Sequence, residues 1–416
     1  MLGISMSGLV IPKLPSVKDI SVEEKKVFMR IDINVPIDPD TGEILDDHRI
    51  RVHAKYIKEF AEKYKPALVI GSHQGRPGSP DFTTLEKHCE LLRKYSGLDI
   101  KYVEDVMGPT ALRAIKELKP GEVLLLDNLR LVAEEVLEAP PEVQANTIFA
   151  KRIASSVDVY VNDAFATSHR SQPSIVGFPL LLPSAIGPLF EKEVYALQRI
   201  VSDSESPRVY VLGGKKVAEH MRVIENLVKN RMADRILTCG LLGILFLAAK
   251  GVNIGIDNYK VLEENGLTPL IPRARYLLLR GAPVETPVDF KVQHEGGVEN
   301  VYVGQLKGKI MDIGESTGEI YSELIKEAKT IVMRGPAGVI EVEEFRSGTK
   351  KLLEAAFQSK AFVLIAGGHL GAMVPDKVGE RVHVSTGGNS VLLFLSGEEL
   401  PAFKALELSA KMFLGW

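Results

Sequence analysis

The sequence predicts an α/β protein built from two doubly wound, parallel-sheet (Rossmann-like) domains joined by a hinge helix. Three observations support this. Short β-branched runs alternate with longer helical patterns along the whole chain, as in parallel sheets covered by helices on both faces. Polar side chains and glycines gather where the predicted strands end, the place where open α/β sheets bind ligands. A long amphipathic stretch containing a Gly-Pro pair lies near the middle of the chain. With 416 residues, 45% of them apolar, the chain can build more than one core.

In the first half, Val27–Ile33, Ala67–Gly71, Glu122–Leu126 and Val157–Val161 read as strands, and Ile50–Tyr64 and Thr84–Tyr95 have apolar residues at helical spacing. In the second half, strands are expected near Arg208–Leu212, Arg235–Thr238, Thr330–Met333 and Ala361–Ala366. The stretch Pro183–Ser202, with Leu189, Phe190, Val194, Leu197 and Ile200 on one face, reads as the joining helix. Leu400-Pro401 opens a last helix. The division expected is residues 1–185 with 401–416 as a first domain, 186–203 as the inter-domain helix and 204–400 as a second domain.

Formal charge is 51 minus 54, or −3, so no overall basic field points to nucleic acid or an anionic membrane, and any anion site must be local. The apolar-rich stretch Ile236–Ala249 is too short to cross a bilayer as a helix and reads as a buried strand leading into a helix. Residues 1–12 carry no Lys or Arg before Lys13, so they lack the basic start of a secretory signal and read as a short leader of a cytoplasmic protein. Cys89 and Cys239 make no metal-ligand spacing and read as reduced core residues.

In the first half, alternation along Arg30-Ile31-Asp32-Ile33-Asn34 puts Arg30, Asp32 and Asn34 on one face of a strand, where polar groups need partners. Ser72-His73-Gln74-Gly75-Arg76-Pro77 follows the second strand, with a glycine that permits close backbone approach and an arginine fork beside it. Arg49 stands at a helix start, Arg130 in Leu126–Arg130 and Arg170 at the end of Val161–Arg170. Any one of these is more commonly a surface residue. Four together, in a domain with no net positive charge, favour a small anion carrying carboxylate or phosphate.

Glycine turns mark the second half. Gly213-Gly214-Lys215-Lys216 follows a strand and opens a helix, an arrangement that leaves backbone N–H groups and a lysine facing one spot, as phosphate binding requires. Gly335–Gly338, Gly367-Gly368-His369-Leu370-Gly371 and Ser385–Ser390, containing Gly387 and Gly388, repeat the pattern at later strand ends. Neither a P-loop nor a G-x-G-x-x-G fingerprint is present.

The motifs RIDINVP, SHQGRP, DNLR, YVNDAFATSHR, LGGKKVAE, PVDF, DIG, GPAGVIE and HVSTGGNS occur in the order seen in phosphoglycerate kinases, and the chain resembles that family from about Lys26 to Leu406. The resemblance implies a first domain for 3-phosphoglycerate or 1,3-bisphosphoglycerate and a second for ADP or ATP with Mg²⁺, transferring a phosphoryl group reversibly in glycolysis or gluconeogenesis. By motif, the triose site comprises Asp32, Asn34, Arg49, His73, Gln74, Gly75, Arg76, Arg130 and Arg170. The nucleotide site comprises Gly213, Gly214, Lys216, His220, Gly335, Glu341, Gly367, Gly368, His369 and Leu370. Arg49 resembles the transition-state arginine, Lys216 the lysine that accompanies the phosphoryl group, Glu341 the ribose carboxylate, and Gly387 and Gly388 the helix-start amides that meet the phosphates when the domains close.

The chain departs from the bacterial and eukaryotic pattern at three positions. Leu370 replaces the aspartate that holds magnesium, which leaves the metal ligand unassigned. His220 stands in place of a second lysine, and Arg334 in place of the asparagine before the GPPG turn; His220 and His369 resemble the archaeal branch. The expected partners are small molecules, with no nucleic acid and no membrane, acting on a monomer or alternatively a homodimer. Two rivals remain at this stage: a two-domain dehydrogenase, which would need the dinucleotide fingerprint missing here, and a two-lobed binding protein without catalysis.

Overall fold

The computed structural model describes residues 9–375 and 377–416. The leader expected over residues 1–12 therefore lies largely outside the described residues. By contact density the chain divides into two compact units, one made of Pro12–Val194 with Glu399–Trp416 and the other containing Tyr195–Glu398.

The unit formed by Pro12–Val194 and the C-terminal segment contains, in chain order, β1 (Lys26–Arg30), α1 (His48–Tyr64), β2 (Ala67–Gly71), α2 (Glu86–Ser96), β3 (Ile100–Val103), α3 (Pro109–Glu117), β4 (Val123–Leu126), α4 (Pro141–Gln144), α5 (Ile148–Ala154), β5 (Val159–Asn162) and β6 (Ser184–Ile186). The helix α6 (Pro188–Val201) then carries the chain into the other unit. The sheet has the order β3-β4-β2-β1-β5-β6, and all its pairings are parallel. Because strand side chains alternate, Val27 and Met29 pack with Ile50, Ile57 and Leu92 on one face, while Phe28 packs with Ile115, Phe149 and Phe178 on the other.

β1 stops pairing at Arg30, three residues before the expected end. Beyond it, backbone donors find side chains: Ile33 N–H donates to Ser72 Oγ at 3.0 Å and Val35 N–H to Gln74 Oε1 at 3.0 Å. Asp32 and Asn34 therefore sit on an extended segment tied by side chains, not on a ladder. The joining element also differs from expectation. Ser184–Ile186 is an edge strand, and the helix begins only after Gly187, where a side chain would collide with the Asp163 carboxylate at 2.5 Å.

The other unit runs β7 (Arg208–Leu212), α7 (Val217–Lys229), β8 (Arg235–Thr238), α8 (Gly240–Ala249), α9 (Ile256–Glu264), α10 (Ile271–Leu279), β9 (Val284–Glu285), β10 (Asp289–His294), β11 (Gly297–Tyr302), β12 (Lys309–Ile313), α11 (Glu315–Glu327), β13 (Thr330–Arg334), α12 (Ser347–Gln358), β14 (Phe362–Ala366), α13 (Gly368–Gly371), β15 (Val382–Ser385) and α14 (Gly388–Leu395). Its main sheet has the order β15-β14-β13-β7-β8-β9 and is also parallel. The final helix α15 (Pro401–Ser409) returns to the first unit, where Ala402 N–H donates to Ser168 O at 3.1 Å.

A three-stranded antiparallel sheet, β11-β10-β12, has no counterpart in the sequence reading. Its hairpin turns at Glu295-Gly296, and β11 exposes Gly297, Glu299, Asn300 and Tyr302 and buries no residue fully, which weakens the apolar signal. The apolar segment after Arg235 is a strand followed by the buried helix α8. Among the described residues no helix is long and apolar enough to cross a membrane.

Candidate active site

In the first unit, the expected anion-binding residues converge at the ends of β1, β2, β4 and β5. Arg49, in the first turn of α1, donates from Nη1 to Asp32 Oδ2 at 2.7 Å. Asp32 Oδ1 accepts the Asn34 N–H at 3.0 Å, and Asn34 Oδ1 accepts the Gly75 N–H at 2.8 Å. Burial alone would raise the Asp32 carboxyl, but Arg49, His73, Arg30 and the Asn34 amide together hold it well below the usual carboxylate range.

His73 is buried, and its Nδ1 lies 3.0 Å from Arg30 Nη2. A guanidinium only donates, so Nδ1 is the acceptor and the ring proton sits on Nε2. Burial first, and then Arg30, hold this imidazole well below its ordinary value, hence neutral. Burial also lowers Arg130, to about 10, with Arg30, Arg170 and Arg76 adding to the effect while Glu135 opposes it. These like charges are therefore close enough to repel one another. Arg130 donates to the carbonyl of Gly75, Arg170 pairs with Glu138 at 3.0 Å, and Arg76 is exposed.

Gln74 has a different place from the one expected. It is fully buried, its Oε1 accepts from Val35 N–H and meets His88 Nε2 at 3.0 Å, and its Nε2 donates to the carbonyls of Val35 and Asp81. Its hydrogen-bonding capacity is spent on binding two loops together, which leaves nothing for a ligand. Gly75 sits at φ +65°, and a Cβ there would lie 2.8 Å from the Asp81 backbone.

In the second unit the glycines divide into two sets. Gly213 N–H donates to Arg334 O at 2.9 Å and Gly214 N–H to Pro336 O at 2.8 Å. A Cβ on Gly213 would stand 2.3 Å from Pro336 O, and one on Gly335 2.2 Å from Gly213 O. These three glycines lock the turn after β7 against the turn after β13. The Gly213 and Gly214 amides are consequently not available to phosphate, contrary to the sequence reading. At the start of α14, by contrast, Gly388 and Asn389 N–H have no acceptor among the described residues.

Lys216 Nζ donates to Asn389 Oδ1 at 2.5 Å, drawing the lysine toward that helix start. Burial, followed by Arg334, lowers the lysine from its ordinary value. His220 is fully buried, with neither ring nitrogen bonded among the described residues; burial first, then Arg334 and Lys216, push it down to about 3, so it is neutral. Gly367 and Gly368 stand between β14 and the short helix α13; His369 beside them and Glu341, in the turn after Gly338, are both exposed. Leu370 is 1% exposed within the apolar core beside Ile365 and Val382, so its side chain lies away from any ligand.

Residues 17–398 match the family model of phosphoglycerate kinase. The chain is 51% identical over 406 residues to the phosphoglycerate kinase of Sulfurisphaera tokodaii, covering 97% of this chain and 98% of that protein. It is 50% identical to that of Saccharolobus solfataricus, covering 95% and 97%. The chain belongs to the phosphoglycerate kinase family. The crystal structure of phosphoglycerate kinase from Pyrococcus horikoshii superposes with a TM-score of 0.89 at 38% identity, covering 96% of this chain and all of that one. The structure from Coxiella burnetii gives 0.77 at 30% identity, covering 95% and 99%. The resemblance read from the motifs and the two-domain parallel-sheet fold are thereby borne out, and with them phosphotransferase chemistry on a carboxyl acceptor.

Within this phosphoglycerate kinase family member, the sequence reading left three parts of the sites without a role. Arg30 is fully buried and bridges His73 to Ser174 Oγ at 2.8 Å, while Glu135 accepts the Ser174 N–H at 3.0 Å. Its position on the polar face of β1 was the available signal. Asn389, the partner of Lys216, was present inside the STGGNS motif. Arg334 was visible only as a departure from the family pattern.

Proposed function

We propose that the chain catalyses reversible phosphoryl transfer between 1,3-bisphosphoglycerate and ADP, giving 3-phosphoglycerate and ATP. A β-phosphate oxygen of ADP attacks the phosphorus of the acyl phosphate. The bond from that phosphorus to the C1 carboxylate oxygen breaks as the new P–O bond forms, and the carboxylate leaves with the electron pair. Charge spreads over the moving group, so positioning and electrostatics supply most of the catalysis.

The observation that carries this reading is the hydrogen-bonded set at the strand ends of one sheet, in which Arg49 meets Asp32, Asp32 meets Asn34, Asn34 meets Gly75, Gly75 meets Arg130 and Arg30 meets His73. In this reading Arg49, Arg76, Arg130 and Arg170, with Asp32, Asn34 and the Nε2–H of His73, hold the triose. Asp32 aims the Arg49 guanidinium, which faces the migrating phosphoryl group, and Arg30 fixes the His73 tautomer. Lys216 meets the transferred group from the nucleotide side, the Gly388 and Asn389 amides receive its oxygens, and Glu341 takes the ribose.

Mg²⁺ enters as part of the nucleotide substrate. Among the described residues no three His, Cys, Asp or Glu cluster to hold a metal, and Leu370, at the position of the usual aspartate, is buried. The cell compartment proposed is the cytoplasm, and the working form a monomer. A coupled assay of ATP formation from 1,3-bisphosphoglycerate and ADP, with and without Mg²⁺, tests the reading; no ATP under either condition would exclude it.

A further inference from the structure

Arg334 closes β13, and its register neighbours are Leu212 of β7 and Ala366 of β14. Those two residues immediately precede Gly213 and Gly367, so residue 334 leaves the sheet between two glycine turns. Its guanidinium turns toward the second of them. Nη1 lies 2.6 Å from where a Cβ on Gly367 would stand, and Nη2 lies 3.6 Å from that of Gly388. Any side chain at 367 would strike the guanidinium, and the φ of +106° there already disfavours one. The turn is shaped to admit an arginine.

That arginine has no hydrogen-bond acceptor among the described residues, and its Nε is buried without a partner. Glu219 exerts an opposing field on it but makes no hydrogen bond to it. A guanidinium partly removed from water, with its Nε buried and unbonded, carries a desolvation cost, and its planar fork of donors matches an oxyanion. His220 repeats the pattern, fully buried with both ring nitrogens unpartnered. Gly388, whose amide has no acceptor among the described residues, adjoins the same guanidinium at the start of α14. The Arg334 guanidinium and the start of α14 thus adjoin where neither finds an acceptor among the described residues.

We propose that Arg334 binds the polyphosphate of the nucleotide, as a second fixed cation beside Lys216 where the bacterial and eukaryotic pattern has a neutral asparagine. This rests on reading the glycine-turn unit as the nucleotide unit. The bound phosphate supplies the acceptors that the guanidinium lacks among the described residues, and the positive charge offsets phosphate charge.

The test is calorimetric titration of the full chain with ADP, with and without Mg²⁺, and separately with adenosine. Arg334→Met is expected to weaken ADP binding on the order of 10- to 100-fold while leaving adenosine binding unchanged. Arg334→Lys should recover part of the loss. Arg334→Met should melt no lower than the parent, because it removes an unpaired cation. ADP binding by Arg334→Met at parental strength overturns the inference and leaves the nucleotide unit standing. Equal loss of ADP and adenosine with a lower melting temperature also overturns it, in favour of a structural role. Failure of the parent chain to bind either ligand rejects the nucleotide reading itself.

Discussion

Arg49 and Asp32 form a pair at 2.7 Å in which the carboxylate is buried and the guanidinium is about one-third exposed. The carboxylate orients the arginine without neutralising the site, because Arg30 and the other arginines outnumber it. Asp32 has a folded pKa below its unfolded value, so its contribution to stability is present above about pH 4 and declines as pH falls further. Asp32→Asn is expected to cost about 3 kcal/mol at pH 7. Urea denaturation of both chains between pH 7 and pH 3 should show the gap narrowing as the medium becomes acid. A gap that is constant with pH would remove the ionised carboxylate from the account.

Lys216 is held to Asn389 at 2.5 Å, which keeps its ammonium beside the free amides of α14. In the proposed mechanism its charge is needed most when the phosphoryl group is between oxygens. Lys216→Ala should therefore lower kcat by roughly two to three powers of ten, by analogy with loss of an oxyanion donor, with a smaller change in KM for ADP. Steady-state kinetics decide this, and near-parental kcat would remove Lys216 from the chemistry.

The sequence reading reached the strands from their apolar runs: β2, β7 and β8 begin and end where Ala67–Gly71, Arg208–Leu212 and Arg235–Thr238 were expected. Buried parallel strands leave such a signal because both faces are apolar. The half-exposed antiparallel sheet around β10 does not. In the sites, the sequence disclosed which residue types gather at strand ends but not how their hydrogen bonds are spent. Gln74 and the amides of Gly213 and Gly214 looked available and are consumed by neighbouring loops. Arg334 looked like a simple replacement and lacks an acceptor among the described residues. Such differences depend on what the chain brings from distant positions, which local pattern does not encode.

Asp163 accepts the Phe190 N–H at 2.9 Å in the first turn of α6, and its other oxygen is buried without a partner. Burial, against the opposing Phe190 and Leu189 amides, raises it to about 7. With a folded pKa above the unfolded one, the carboxyl favours the folded state fully below about pH 4 and loses that advantage as pH rises through 7. Asp163→Asn keeps an acceptor for the helix and cannot ionise. Its melting temperature relative to the parent should rise from pH 5 to pH 8, and a difference independent of pH would contradict the assignment.

Gly335 sits at φ +79°, and an added Cβ would stand 2.2 Å from Gly213 O. Gly335→Ala therefore meets an unfavourable backbone conformation and rigid backbone at once. The turns after β7 and β13 should separate, displacing Lys216 and Arg334 together. The expected result is a lower melting temperature, by about 5 °C or more, with weakened ADP binding. Full retention of both would show that the two turns need not touch.

Arg49 and Lys216 belong to different compact units, yet the proposed step needs the attacking oxygen and the phosphorus about 3 Å apart. Water must also be kept from the acyl phosphate, or hydrolysis would compete with transfer. In the proposed mechanism each ligand alone engages one unit, and both are needed before the two units can act on the same phosphoryl group. On that proposal small-angle scattering should give a smaller radius of gyration with 3-phosphoglycerate and ATP together than with either alone, because a ligand shifts a conformational equilibrium only by its differential affinity for the two states. An equal radius in all four ligand states would mean that transfer needs no closure, and would place the burden of water exclusion on side chains within a single unit.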